Sequence, residues 1–100
     1  IIMTINKIPD GTTTTFEIIG RLDTGTAPQL EEAIQSIDDG VKTLVLDFEK
    51  LEYISSAGLR VLLKTQKSMM KKGKMIIKNA NESIREVFEL TGFIDFLTLE

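Results

Sequence analysis

The sequence contains no cysteine and no histidine, and these two absences exclude several kinds of chemistry. Without cysteine, the chain can form no disulfide and offers no thiol nucleophile. Without histidine as well, it cannot supply the Cys/His ligands of ordinary zinc sites or a Ser-His-Asp triad. Most familiar hydrolytic chemistry is therefore excluded, and we predict no catalytic residue, no metal ligand and no cofactor.

The sequence also lacks an excess of positive charge and long apolar runs. Twelve Lys and Arg against 15 Asp and Glu leave a net charge of −3, and no basic cluster is interleaved with aromatic residues, so nucleic acid is not an expected partner. No apolar run approaches the roughly 20 residues that a membrane helix needs, and no secretory signal is evident. We expect a soluble, cytoplasmic protein without a membrane partner.

The length of 100 residues and a hydrophobic content of 42% suit a single domain over residues 1–100 with one core. The chain begins Ile1-Ile2 and reaches its first methionine at Met3. Whether the domain is free-standing or part of a larger protein therefore stays open at this point.

The first half of the chain predicts a hairpin, a helix and a buried strand. Ile2–Ile8 alternates like a strand, Pro9-Asp10-Gly11 is typical of a turn, and Thr12–Ile19 is rich in β-branched residues. Apolar residues recur at helical spacing within Thr26–Ile37, with a proline in the tolerated first turn. Val41–Phe48 is nearly all apolar, as in a parallel strand buried on both faces, and it leads to a pair of serines.

The second half predicts two more helices around a short strand. A helix should run from Ser56 to Lys72 and end because Gly73 adopts a left-handed conformation. Lys74–Lys78 follows as a strand, and Asn81 is a suitable cap for a third helix. We expect the third helix to pack through Ile84, Val87, Phe88 and Leu90, to end at Gly92, and to be followed by a turn or short strand within Phe93–Leu99.

These elements predict an α/β fold. Strands separated by helices need crossover connections, so the sheet should be mixed, with parallel strands at its centre and an antiparallel N-terminal hairpin. We predict four to five strands, with three to four helices packed on the sheet.

The adjacent serines Ser55 and Ser56 lie where the strand pattern changes to a helical one. The first N–H groups of a helix lack partners and the helix dipole is positive there, so a serine can cap the helix and a phosphate would be stabilised. Ser55 is better placed as the cap, which would leave the Ser56 hydroxyl in the first turn and facing outward.

The triplet Asp23-Thr24-Gly25 also occurs in aspartic proteases, where two aspartates meet across a dimer. That fold is nearly all strand, whereas here the triplet runs directly into a helical pattern. The sequence therefore favours a turn or cap role for Asp23 or Thr24, and protease activity is the least favoured hypothesis.

The blocks Gly20–Leu30 and Asp47–Leu63 resemble the STAS family, specifically bacterial anti-sigma factor antagonists. In that family a serine at the start of the second helix, within an Asp-Ser-Ser/Thr-Gly-Leu type of motif, accepts a phosphate. Ser56 matches this acceptor. Ser55 stands in place of the usual Asp and is the second choice of acceptor, and Ala57 stands in place of the usual Ser or Thr.

The resemblance implies a partner-switching module. The unphosphorylated chain would bind an anti-sigma factor that is also a serine kinase, phosphorylation would end the binding, and a serine phosphatase would restore it. A monomer or weak dimer is expected. The partner-binding surface implied by the resemblance comprises Asp23, Thr24, Ser55, Ser56, Ala57, Gly58 and Arg60.

Two further possibilities accompany this interpretation. A STAS-like domain could instead be an interaction module of a larger sensor assembly or of an anion transporter, without a serine switch. The basic residues of the second helix, Arg60, Lys64, Lys67 and Lys71, share one helical face. Such a stripe is usually a solvated surface, but it begins one turn after Ser56 and so could contact an acidic partner or a phosphate.

Overall fold

The computed structural model describes residues 2–100, which form five β-strands, three α-helices and one 3-10 turn. The strands are β1 (Thr4–Asp10), β2 (Thr13–Leu22), β3 (Thr43–Asp47), β4 (Leu51–Ile54) and β5 (Lys74–Lys78). The helices are α1 (Ala27–Gln35), α2 (Ser56–Met70) and α3 (Glu82–Thr91), and the 3-10 turn covers Phe93–Asp95. The predicted α/β fold with an N-terminal hairpin is confirmed.

The sheet is mixed, with the order β1-β2-β3-β5 and with β4 paired to β2. The β1–β2 hairpin is antiparallel, and the other pairings are parallel. The long strand β2 pairs with β3 through Thr13–Glu17 and with β4 through Gly20–Leu22. The sequence pattern did not separate β4 from the preceding strand. The chain turns between them, where the Leu51 N–H donates to the Phe48 carbonyl at 2.9 Å.

The core lies between the sheet and the helices. Phe16 and Ile18 of β2 alternate inward, and the neighbouring strands add residues in register with them. Side chains of the helices close the same cluster, among them Leu30, Leu62, Ile84 and Phe88. Val45 of β3 points to the opposite face of the sheet and is still only 6% exposed. The prediction that β3 is buried on both faces is therefore confirmed.

The apolar faces of α1 and α3 largely follow the predicted spacing. Ala27 and Leu30 of α1 are buried. In α3 the Asn81 side chain accepts from the Ile84 N–H at 2.8 Å, and the helix ends at the left-handed Gly92 (φ 82°). Leu90, however, is 80% exposed, so its predicted place in the packing face is wrong. It lies two positions after the buried Phe88, on the other side of the helix.

The longest helix, α2, has 15 residues, fewer than the roughly 20 that span a bilayer. Over residues 2–100, no helix combines the length and the apolar character that a membrane crossing requires.

The predicted reason for Gly73 at the end of α2 is wrong. The helix ends at Met70, and Gly73 does not have a positive φ. A Cβ at this position would lie 1.8 Å from the carbonyl oxygen of Lys42, which accepts from the Lys74 N–H at 2.9 Å. Glycine is needed there because the chain entering β5 passes directly against the backbone that enters β3.

We expect Gly73→Ala to destabilise the protein, because the new methyl group would collide with a hydrogen-bonded backbone carbonyl. Overpacking of this kind typically costs about 1–3 kcal/mol, and each 1 kcal/mol lowers Tm by roughly 4–8 °C in a domain of this size. Thermal unfolding followed by circular dichroism measures the loss. Gly25→Ala is the matched control, since its Cβ would have only an ordinary contact, 3.5 Å from Asp23 Oδ1. Equal Tm values for the two variants would contradict the packing argument.

Candidate functional site

Ser55 caps helix α2, as predicted. Its backbone is extended (φ −99°, ψ 175°), and its Oγ accepts from the Gly58 N–H at 3.3 Å. Its own N–H donates to the Leu22 carbonyl at 2.8 Å. Ser55 thus ends the β4 pairing with β2 and begins the helix, and its side chain is half-buried.

Ser56 is the first residue of α2 and is exposed to solvent. The side-chain cap of this helix comes from Ser55, so the Ser56 hydroxyl is not needed to cap α2. The unpaired N–H groups and the positive end of the helix dipole favour negative charge at this place. The predicted outward-facing hydroxyl beside a helix cap is confirmed.

Asp23 organises the loop between β2 and α1. Its Oδ1 accepts from the Gly25 N–H at 3.0 Å and from the Thr26 N–H at 3.1 Å. Desolvation raises the pKa of Asp23, but the bonds from Thr26 and Gly25 and the charge of Arg21 outweigh it and lower the pKa below its ordinary value. The turn interpretation of the Asp-Thr-Gly triplet is confirmed, because this carboxylate holds the loop that enters α1.

The loop after β2 and the start of α2 border one groove of about 320 Å³. Thr24, on the loop side, and Ala57 and Arg60, on the helix side, all line it. The hydrogen bond between Ser55 N–H and the Leu22 carbonyl holds the two sides together. The fold therefore brings together the predicted residues Asp23, Thr24, Ser55, Ser56, Ala57 and Arg60.

Gly58 differs from the prediction. It was expected on the partner-binding surface, but it is buried beneath the first turn of α2. A Cβ there would lie 2.7 Å from Leu22 Cγ and 2.9 Å from Ile54 Cγ1. Its role is to let α2 approach β2 and β4 closely.

The basic stripe of α2 is exposed along its length, at Arg60, Lys64, Lys67 and Lys71. Lys64 forms an ion pair with Glu31 of α1 across the groove, a contact between acidic and basic residues that the sequence did not reveal. Pairs as exposed as this one contribute little stability. Among residues 2–100, no cluster of three acidic side chains is arranged to hold a metal ion.

The sequence also missed a contact between Arg21 of β2 and Tyr53 of β4. The Arg21 guanidinium carbon lies 4.2 Å from the centre of the Tyr53 ring, which is the geometry of a cation–π contact. The two residues are direct neighbours in the β2–β4 pairing. In the sequence, the only signal for this contact is the change from Tyr53 to the apolar Ile54, which suggests that the two side chains lie on opposite faces of a strand. That signal points to Arg21 only when the pairing of β4 with β2 is known.

Comparison with known proteins identifies relatives of the chain. It is 40% identical over 77 residues to a Bordetella bronchiseptica protein assigned as an anti-sigma factor antagonist, which covers 75% of this chain and 66% of that protein. It is 31% identical over 80 residues to the anti-sigma-B factor antagonist of Staphylococcus aureus, covering 78% and 74% of the two chains.

A solved structure and a family model agree with these relatives. The crystal structure of an anti-sigma factor antagonist from Mycobacterium paratuberculosis superposes with a TM-score of 0.88 at 26% identity, covering 98% of this chain and 85% of that one. The model of the STAS domain matches residues 4–100. The chain therefore belongs to the STAS domain family, and the three relatives named here are described as anti-sigma factor antagonists.

Proposed function

We propose that this chain is an anti-sigma factor antagonist that binds its anti-sigma factor while Ser56 is unphosphorylated and releases it when Ser56 carries a phosphate. The observation that carries the proposal is the division between the two serines. Ser55 caps α2, and the hydroxyl of Ser56 is left exposed at the positive end of the helix. The names of the relatives support the class of partner.

A phosphate on Ser56 would act through charge. It adds about −1.5 to −2 charges at pH 7 and three acceptor oxygens. The N-terminus of α2 would tolerate this charge, so the domain would not have to refold. A partner surface that is complementary to a neutral hydroxyl would have no positive group to pair with the phosphate. Acidic groups on that surface would repel the phosphate.

Ser55 is the less suitable acceptor. Its Oγ accepts the bond from the Gly58 N–H, and its side chain is half-buried. A kinase acting on Ser55 would have to displace this cap, which typically stabilises a helix by about 1 kcal/mol.

The partner-binding surface in this proposal consists of the groove and its rim. Thr24, Ala57 and Arg60 line the groove, and Asp23 holds the loop that forms one wall. Arg60 adds an exposed positive charge one turn after Ser56. Gly58 contributes indirectly, by setting how closely α2 approaches the sheet.

The proposed cycle needs two enzymes other than this chain. The anti-sigma factor would be the serine kinase, and a separate serine phosphatase would regenerate the binding form. The chain itself would have a regulatory, non-enzymatic role in the cytoplasm, acting as a monomer or weak dimer.

We expect phosphorylation at a single position, Ser56, when the chain is incubated with ATP and the anti-sigma factor kinases encoded in the same genome. Mass spectrometry of the intact and digested protein gives the stoichiometry and the site. Ser56→Ala should remove the modification, whereas Ser55→Ala should retain it. A phosphate on Ser55, or unmodified protein with every kinase, would contradict the assignment.

We expect Ser56→Asp to weaken binding of the anti-sigma factor by more than about 1 kcal/mol, roughly fivefold in Kd, because it puts negative charge within the proposed partner-binding surface, next to the groove residue Ala57. Isothermal titration calorimetry measures the change. Ser68→Asp is the matched control, since Ser68 is an exposed serine farther along the same helix. Equal Kd values for the two variants would contradict a switch at Ser56.

We expect Asp23→Asn to lower Tm at neutral pH, because the amide oxygen accepts the loop's N–H bonds less strongly than a carboxylate does. The pKa of Asp23 is lowered in the folded protein, so its stabilising effect is fully present above the ordinary aspartate pKa of about 4. The effect is lost as the pH falls through the lowered pKa. Tm values of both proteins between pH 7 and pH 2.5 test this, and a difference that grows on acidification would contradict it.

A further inference from the structure

Arg21 and Tyr53 form a preorganised pair at the end of the sheet that carries the serines. They face each other in the parallel pairing of β2 and β4, with the guanidinium carbon 4.2 Å from the ring centre. Their neighbours Leu22 and Ile54 point into the core, so the pair lies on the other face of the sheet. Stacking restricts the rotamers of Arg21, which lowers the entropy that a binding partner must offset.

The Arg21 side chain has unused hydrogen-bond donors within the described chain. Its Nε is buried and has no acceptor among residues 2–100, and no carboxylate of these residues lies within ion-pair distance of it. The charge of Arg21 helps to lower the pKa of Asp23, but Oδ1 of Asp23 accepts from N–H groups of its own loop. A guanidinium carries five donors, so this arrangement leaves a fixed positive charge ready for an anion.

The position of Arg21 links it to both walls of the candidate site. Its carbonyl accepts from Thr26 Oγ1 at 2.8 Å, in the loop that Asp23 organises. The next carbonyl, that of Leu22, accepts from the Ser55 N–H. Tyr53 is 41% exposed, so a partner covering this end of the sheet reaches the pair. Arg and Tyr are both enriched among residues that dominate binding at protein interfaces.

We propose that Arg21, held against Tyr53, binds a carboxylate side chain of the protein partner and so extends the partner-binding surface to the second face of the sheet. The inference rests on the proposed function. A carboxylate is the favoured ligand because its two oxygens match the fork of a guanidinium. A phosphate on Ser56 is less suited as the anion, because α2 packs on the Leu22 and Ile54 side of the sheet, opposite Arg21.

The test compares Arg21→Gln with Lys74→Gln, using the anti-sigma factor that binds the unsubstituted chain. Both changes remove one positive charge, and Lys74 is an exposed residue at the start of β5, at the other end of the sheet. We expect Arg21→Gln to weaken binding at least about tenfold and to flatten its dependence on salt concentration, while Lys74→Gln has no such effect. Thermal unfolding shows that each variant is folded. If Arg21→Gln does not fold, Arg21→Lys should weaken binding severalfold, because it keeps the charge but loses the fork.

Substitutions in the partner identify the anion. Each exposed Asp or Glu of the anti-sigma factor is changed to Asn or Gln, and one of them should weaken binding to the unsubstituted chain without weakening binding to Arg21→Gln any further. The inference is overturned if Arg21→Gln binds the anti-sigma factor as tightly as Lys74→Gln does. It is also overturned if Arg21→Gln changes the binding of the phosphorylated chain alone, because the Ser56 phosphate would then be the ligand. If the unsubstituted chain binds no anti-sigma factor, both the proposed function and this inference are contradicted.

Discussion

The parallel pairing between the end of β2 and the short strand β4 is the constraint on which the candidate site depends. It is closed by the hydrogen bond from the Ser55 N–H to the Leu22 carbonyl, 2.8 Å long. The same strand ends support α2, because Gly58 lets the helix approach Leu22 and Ile54 within contact distance. As a result, the loop after β2 and the first turn of α2 are fixed relative to each other, although more than 25 residues of chain separate them.

This rigid junction suits a switch that works by charge rather than by refolding. The cap of α2 comes from Ser55, so adding or removing a phosphate at the neighbouring Ser56 would leave the helix end intact. The positive end of the helix would offset part of the added charge within the domain. The effect of the phosphate would then fall on whatever surface faces Ser56, and the domain would act as a stable support for a local change in charge.

The charges around this junction also suit recognition rather than catalysis. The Asp23 carboxylate accepts hydrogen bonds within its own loop, and Arg60 is exposed at the groove. Arg21 lies on the other face of the sheet and has no ion-pair partner among the described residues. A surface with both signs at fixed positions selects a partner of complementary charge. Once a partner covers such charges they discriminate between partners, because an unmatched charge buried at an interface is costly.

Local patterns were enough to predict the helix faces apart from Leu90, the caps at Ser55 and Asn81, the turn role of Asp23 and the burial of β3. These features depend on residues within about four positions of each other, or on a continuous apolar run, so the sequence by itself determined them. Tertiary structure decided what depends on contacts between distant segments. The separate strand β4 exists because β2 is long enough to pair with two strands. Gly73 is required by the backbone at Lys42, Gly58 by the core beneath α2, and Arg21 meets Tyr53 only across the β2–β4 pairing, so none of these could be found from local spacing.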